Sequence, residues 1–146
     1  MQMSLLGIFA FFVALVCAVQ GQTRGTVRLV RNGVPDVSSA YSSGIVEIFY
    51  SASSSTTNIW GNICDDTSFG DSEANVICNQ LGYNGVSTYG RAGSTSSYGT
   101  DTAATIVDDV KCTLSTYLTL DQCRLTTTIS SFCASDTEDI YVSCSK

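Results

Sequence analysis

Six cysteines behind an apolar leader, in a 146-residue chain without a single histidine, constrain this sequence more than any other feature. They are Cys64, Cys78, Cys112, Cys123, Cys133 and Cys144. Structural zinc sites draw on closely spaced Cys or Cys/His pairs, and there is no CxxC pair here to start one. An even count in an exported chain reads instead as three disulfides. Six cysteines allow fifteen pairings, and their spacing alone does not choose among them.

The leader is Leu5 to Val19, LLGIFAFFVALVCAV, without charge or proline. So short a run suits the core of a signal peptide better than a membrane span, which takes about 20 apolar residues. Cleavage after Gly21 satisfies the small-residue rule, as does cleavage after Ala18. The expected organisation is a signal peptide at 1–21 and one secreted, extracellular domain at 22–146. No Lys or Arg precedes the apolar run, so an uncleaved signal anchor is the minor alternative. Cys17 lies inside the run and leaves with it, and Val16 is too large to precede a lipobox cysteine. No second apolar run follows, so no transmembrane span is expected in the mature chain. About 125 residues make one domain with a real core, not two.

Acidic residues outnumber basic ones 13 to 7, a formal net charge of −6. That balance argues against nucleic acid as a partner, and no polybasic block offers a site for anionic lipid. Without histidine there is no Ser-His-Asp or Cys-His nucleophile, and oxidised cysteines are not nucleophilic. Paired carboxylates could in principle hydrolyse glycosides, but surface acids are ordinarily solvated charge, so no enzyme is expected. No N-x-S/T sequon is present.

Short apolar runs mark strands at Thr26–Val30, Ile45–Tyr50, Ile59–Cys64 and Ile140–Cys144, with Glu47 turned away from the apolar side of its strand. Between Asp71 and Leu81, Ala74, Ile77, Cys78 and Leu81 make one buried stripe at helical spacing. Asp71 suits the N-cap, Glu73 the first turn and Gly82 the left-handed position after the last turn. A second short helix is expected around Leu118–Gln122, and residues 84–105 read as loop. The resulting class is α+β: a small disulfide-rich domain whose short curved antiparallel sheets cradle one main helix. Trp60, Tyr50, Phe49 and Phe69 are expected in the core.

Seven segments in order resemble the scavenger receptor cysteine-rich (SRCR) family. They are TVRLV from Thr26, GIVEIFY from Gly44, WGNICDD from Trp60, ANVICNQLGY from Ala74, VDDVKC from Val107, LDQC from Leu120 and TEDIYVSC from Thr137. The match spans 27–145, and the six-cysteine pattern is similar to the group A form. The chain departs from the family at Ile106, in the stretch Thr126–Phe132, and in the SASSSTTN insertion of the first hairpin.

The resemblance implies the pairs Cys64–Cys133, Cys78–Cys144 and Cys112–Cys123. It also implies a Ca²⁺ site at Asp65, Asp66 and Glu138, with Asp139 as a further contributor and Asp108–Asp109 as a second, weaker site. Carboxylates are hard oxygen ligands suited to that ion, and clustered like charges are relieved by a cation. The implied function is recognition of polyanionic or microbial surface ligands, or of a protein partner, with Ca²⁺ assistance. Tyr89, Arg91 and Tyr98 are candidate ligand contacts in the polar segment. The alternative is a structural or effector peptide that uses the scaffold without a cation.

Overall fold

A computed structural model describes residues 21–64, 67–93, 97–99 and 101–146. The expected leader and Asp65, Asp66, Ser94–Ser96 and Thr100 lie outside the described residues. Among those described, eight strands form one sheet around a single α-helix. The strands are β1 (Val27–Arg31), β2 (Val34–Pro35), β3 (Ser43–Ser51) and β4 (Asn58–Ile63), then β5 (Gly85–Arg91), β6 (Thr105–Lys111), β7 (Arg124–Thr126) and β8 (Ile140–Ser145). Helix α1 is Asp71–Gln80, and 3₁₀ turns stand at Leu120–Gln122, Ser131–Cys133 and Asp136–Glu138. The path runs β2-β1-β3-β4-β6-β7, and β8 joins β5 to the start of β3. All pairs are antiparallel except β4–β6, which is parallel, so the sheet is mixed rather than purely antiparallel.

Alternation along β1, β3 and β8 decides which side chains meet α1. Val27, Leu29, Val46, Ile48, Ile140 and Val142 point to the helix side and join Val76, Ile77 and Leu120 in the core. Burying each large apolar side chain contributes about 1.5–3 kcal/mol. The opposite face carries Arg28, Glu47, Phe49, Trp60, Asn62 and Asp139. It too is covered, by Ala92 and residues 101–104 and by the loop at 134–139: Asn62 N donates to Ala104 O at 3.0 Å, and Ala92 N to Asp139 O at 2.7 Å. Gly61 permits that approach, since a Cβ there would lie 2.6 Å from Ala104 O.

Several expectations need correction on this geometry. The N-cap of α1 is Gly70, not Asp71; the carboxylate of Glu73 reaches back to accept from Gly70 N at 2.8 Å. Gly82 stands at the helix end with φ of 87°, and Tyr83 N donates to Cys78 O at 2.9 Å, closing the helix in a Schellman motif. The short helix before Cys123 is only the 3₁₀ turn Leu120–Gln122. Within the expected loop, β5 pairs along the length of β8. Tyr50 and Phe69 are buried, but Phe49 and Trp60 are not core residues. They are cross-strand partners on the other face, 5.3 Å apart, with the Arg28 guanidinium 4.0 Å above the Trp60 ring.

Three disulfides staple the fold: Cys64–Cys133, Cys78–Cys144 and Cys112–Cys123, the pairs implied by the resemblance. Cys78 lies on the buried stripe of α1, so its bridge pins β8 to the helix.

Candidate functional site

Cys64 follows β4 and Asp139 precedes β8, and the two residues form an isolated antiparallel bridge. The Cys64–Cys133 disulfide closes the same spot, with Cα atoms 5.7 Å apart. The residue before Asp65 is therefore fastened to the residue after Glu138. Asp65 and Asp66 themselves lie outside the described residues. Glu138 ends the 3₁₀ turn half-buried; its Oε2 is buried, has no hydrogen-bond partner among the described residues, and meets the Arg91 guanidinium at 3.1 Å as an ion pair. Arg91 also lies 4.9 Å from the centre of the Phe132 ring, whose side chain is exposed. Both line an open pocket of about 360 Å³ with Thr67, Asp108, Asp109 and Thr128.

Asp139 sits next to Glu138 but faces inward. It is 1% exposed and accepts hydrogen bonds from Asn62 Nδ2 at 2.7 Å and Thr105 Oγ1 at 3.3 Å. As the residue before Ile140, it lies on the covered face. Burial first, then the nearby Asp136 and Asp101 charges, push its carboxyl up to about 7, against the two hydrogen bonds. Glu47, on the same face, is likewise raised by burial despite its 2.5 Å ion pair with Arg28.

Asp108 is committed to the fold. Its Oδ1 accepts from Asp109 N at 2.8 Å and its Oδ2 from Ser130 N at 3.0 Å, which ties β6 to the loop before Cys133. Cys64, Asp108 and Cys133 bring ligand atoms within 4.8 Å of one another, but both sulfurs are consumed in the disulfide. Asp109 is exposed and holds a left-handed backbone, φ 53°.

The tyrosine candidates are half-buried, and each holds a ring contact. Tyr89 meets Phe69 edge-on at 5.8 Å, and Tyr98 lies against Tyr141 at 5.4 Å with the rings tilted by 45°, and with Arg31 near its face. Arg91 is the member of that trio that reaches the pocket beside Glu138. Two further acids prove buried, Glu73, which the sequence marked only for the first turn of the helix, and Asp101, which it did not mark. Glu73, 0% exposed, accepts from Cys112 N at 2.7 Å as well as from Gly70; its position three residues after the N-cap is the available signal. Asp101, 5% exposed, stands alone in a Ser/Thr/Gly loop, where no sequence pattern marks it.

No helix among the described residues is long and apolar enough to cross a membrane. The family model of the scavenger receptor cysteine-rich domain matches residues 37–145. The chain is similar to the SRCR domain of mouse MARCO, crystallised in dimeric form, with a TM-score of 0.52 and 31% identity over 70% of this chain and 86% of that one. It is also 41% identical over 64 residues to lysyl oxidase homolog 4 of Mus musculus, covering 44% of this chain but 8% of that much longer protein. The chain belongs to the scavenger receptor cysteine-rich family, a fold of extracellular binding modules rather than of catalysts.

Proposed function

We propose that this domain is a cation-assisted recognition module for an extracellular ligand, either a polyanion or microbial surface or a protein that presents acidic groups. The observation that carries the reading is the fastening of Cys64, the residue before Asp65, to Asp139, the residue after Glu138. The buried Oε2 of Glu138 takes no hydrogen bond among the described residues and is answered by the Arg91 ion pair, an arrangement compatible with a metal ligand. Asp65, Asp66 and Glu138 would hold Ca²⁺, which supplies positive charge at a surface otherwise dominated by acids. Asp139 is occupied by Asn62 and Thr105, and Asp108 by backbone amides. Arg91 stands at the edge of the same site. Released from Glu138, its guanidinium supplies a bidentate contact for a carboxylate, sulfate or phosphate, with Phe132 as the adjacent apolar surface.

Calorimetric titration of the oxidised domain with Ca²⁺ tests the reading. Saturation is expected at about 10⁻⁴–10⁻³ M, in the range of extracellular modules. Glu138→Gln and Asp66→Asn should each abolish the heat while leaving the fold intact. Retention of a sulfated polysaccharide on the domain should fall with chelator and with Arg91→Ala. Melting temperature and retention that are both unchanged between millimolar Ca²⁺ and chelator would refute the proposal and leave the scaffold reading, in which no cation takes part.

A further inference from the structure

The covered face of the sheet holds more negative charge than it neutralises. Glu47, Asp101 and Asp139 are all buried there, at 4%, 5% and 1% exposure. Arg28 answers Glu47. No basic side chain among the described residues is ion-paired with Asp101, Asp136 or Asp139. Asp101 uses Oδ1 to accept from Ala103 N at 3.0 Å, while its Oδ2 is buried without a hydrogen-bond partner among the described residues. An unpaired buried carboxylate oxygen is costly unless something fills the space in front of it.

That space exists. Asp101 lines a cavity of about 260 Å³ together with Asp136 and Thr137 on the 3₁₀ turn, Ala92 and Gly93 after β5, and Ile45. Its walls are fixed: Gly93 N donates to Thr137 O at 2.9 Å, and Ser135 Oγ lies 2.9 Å from Thr137 Oγ1. Ile45, Ala92 and Gly93 contribute apolar lining, and Asp101 and Asp136 contribute two carboxylates. The ligands of one Ca²⁺ lie within about 5 Å of each other, since each stands roughly 2.3–2.6 Å from the ion. Asp101, Asp136 and Asp139 do not form a group that tight. The cavity is also smaller than the roughly 300–1,000 Å³ of a drug-sized ligand pocket. One long side chain with an aliphatic stem and a cationic head matches its size, lining and charge.

We propose that this cavity is a receptor for a single protonated amine or guanidinium, carried on a basic side chain of a protein partner, with Asp101 as its buried counter-ion and Asp136 at the mouth. The site is separate from the one at Glu138 and does not depend on it.

The test titrates the oxidised domain with Nα-acetyl-lysine methylamide and follows the amide resonances of Ala92, Gly93, Gly99 and Thr137 by NMR. Saturable shifts are expected, with none from the norleucine analogue, which has the stem without the charge. Asp101→Asn keeps the acceptor for Ala103 and should weaken binding about tenfold or more, a loss on the scale of one charged contact. Asp136→Asn, at an exposed residue, should weaken it several-fold with the fold undisturbed. Glu138→Gln and saturating Ca²⁺ should leave it unchanged, which separates this site from the cation site above. A short peptide with one lysine should bind more tightly than the lysine amide; tighter binding of free butylamine would reject a partner's side chain as the source. Equal shifts from the norleucine analogue, shifts that survive Asp101→Asn, or displacement by Ca²⁺ would overturn the proposal.

Discussion

Asp139→Asn should remove a pH dependence that the wild-type domain carries near neutrality. The buried carboxyl titrates at about 7 in the folded chain, against 3.8 when exposed. A folded value above the unfolded one means that the native state binds the proton more tightly. The associated stability is therefore fully present below about pH 3.8 and is lost as pH rises through 7. The upward shift of about 3 units corresponds to about 4 kcal/mol over the whole range. Between pH 8 and pH 5.5 the same linkage gives about 2 kcal/mol, the protein being more stable at the lower pH. Urea unfolding of the oxidised domain at both pH values, in excess chelator so that no cation acts at neighbouring Glu138, measures this directly. Asparagine cannot ionise; its Oδ1 keeps the acceptor for Asn62 and its Nδ2 can donate to Thr105 Oγ1, so the variant should lose most of the difference. At pH 8 it should match or exceed the wild type. A wild type equally stable at both pH values, or an equal dependence in Asp139→Asn, would show that water or a conformational change already relieves the buried charge.

Glu73→Ala should destabilise by about 3–5 kcal/mol, because it leaves the Gly70 and Cys112 amides without their acceptor; Glu73→Gln, which keeps one acceptor, should lose less in the same urea titration. Trp60→Ala should lose only about 1–2 kcal/mol, since the ring is half-buried against Phe49 and Arg28 rather than in the core; a loss above about 3 kcal/mol would place it energetically with the core. Replacing both cysteines of the Cys112–Cys123 bridge by alanine should lower stability by about 2.8 kcal/mol, against about 4.4 for Cys64–Cys133, because the sequence separations are 11 and 69. Paired melting curves check the order, and a reversed order would mean that residual structure in the unfolded chain outweighs loop entropy.

Alternation made the long strands legible, because Val27–Arg31, Ser43–Ser51 and Ile140–Ser145 each send branched apolar residues to the helix. The stripe at Ala74, Ile77 and Cys78 did the same for α1. Strand β5 was illegible because GVSTYGR has almost nothing apolar to alternate; its existence depends on the backbone groups of β8. Trp60 was misplaced for a related reason. The period of two tells which face a residue shares, and Trp60 shares that of Glu47 and Asn62, but aromatic character alone suggested core. The candidate site divides along the same line. Glu138 and Asp139 are adjacent acids that look equivalent in the sequence, yet Ile140 sets the register that turns one to the rim and the other inward. That the second face is roofed by loops depends on contacts 41 and 77 residues apart in the chain, which no local pattern encodes.

The bridges also determine how the domain responds to a pull on its two ends. The chain from Cys64 to Cys144, fully extended, would reach about 280 Å at some 3.5 Å per residue. In the oxidised protein the route shortens: tension passes from Cys64 through sulfur to Cys133 and on to Cys144, or along 64–78 and through the second bridge. The shorter of these allows only about 40 Å. Strands β5, β6 and β7 therefore lie inside covalent loops and bear almost no load, and it is the strands ahead of Cys64 that yield. Stretched between beads, the domain should lengthen by little more than the four strands ahead of Cys64 until a reductant is added, when the hidden length appears in a second step.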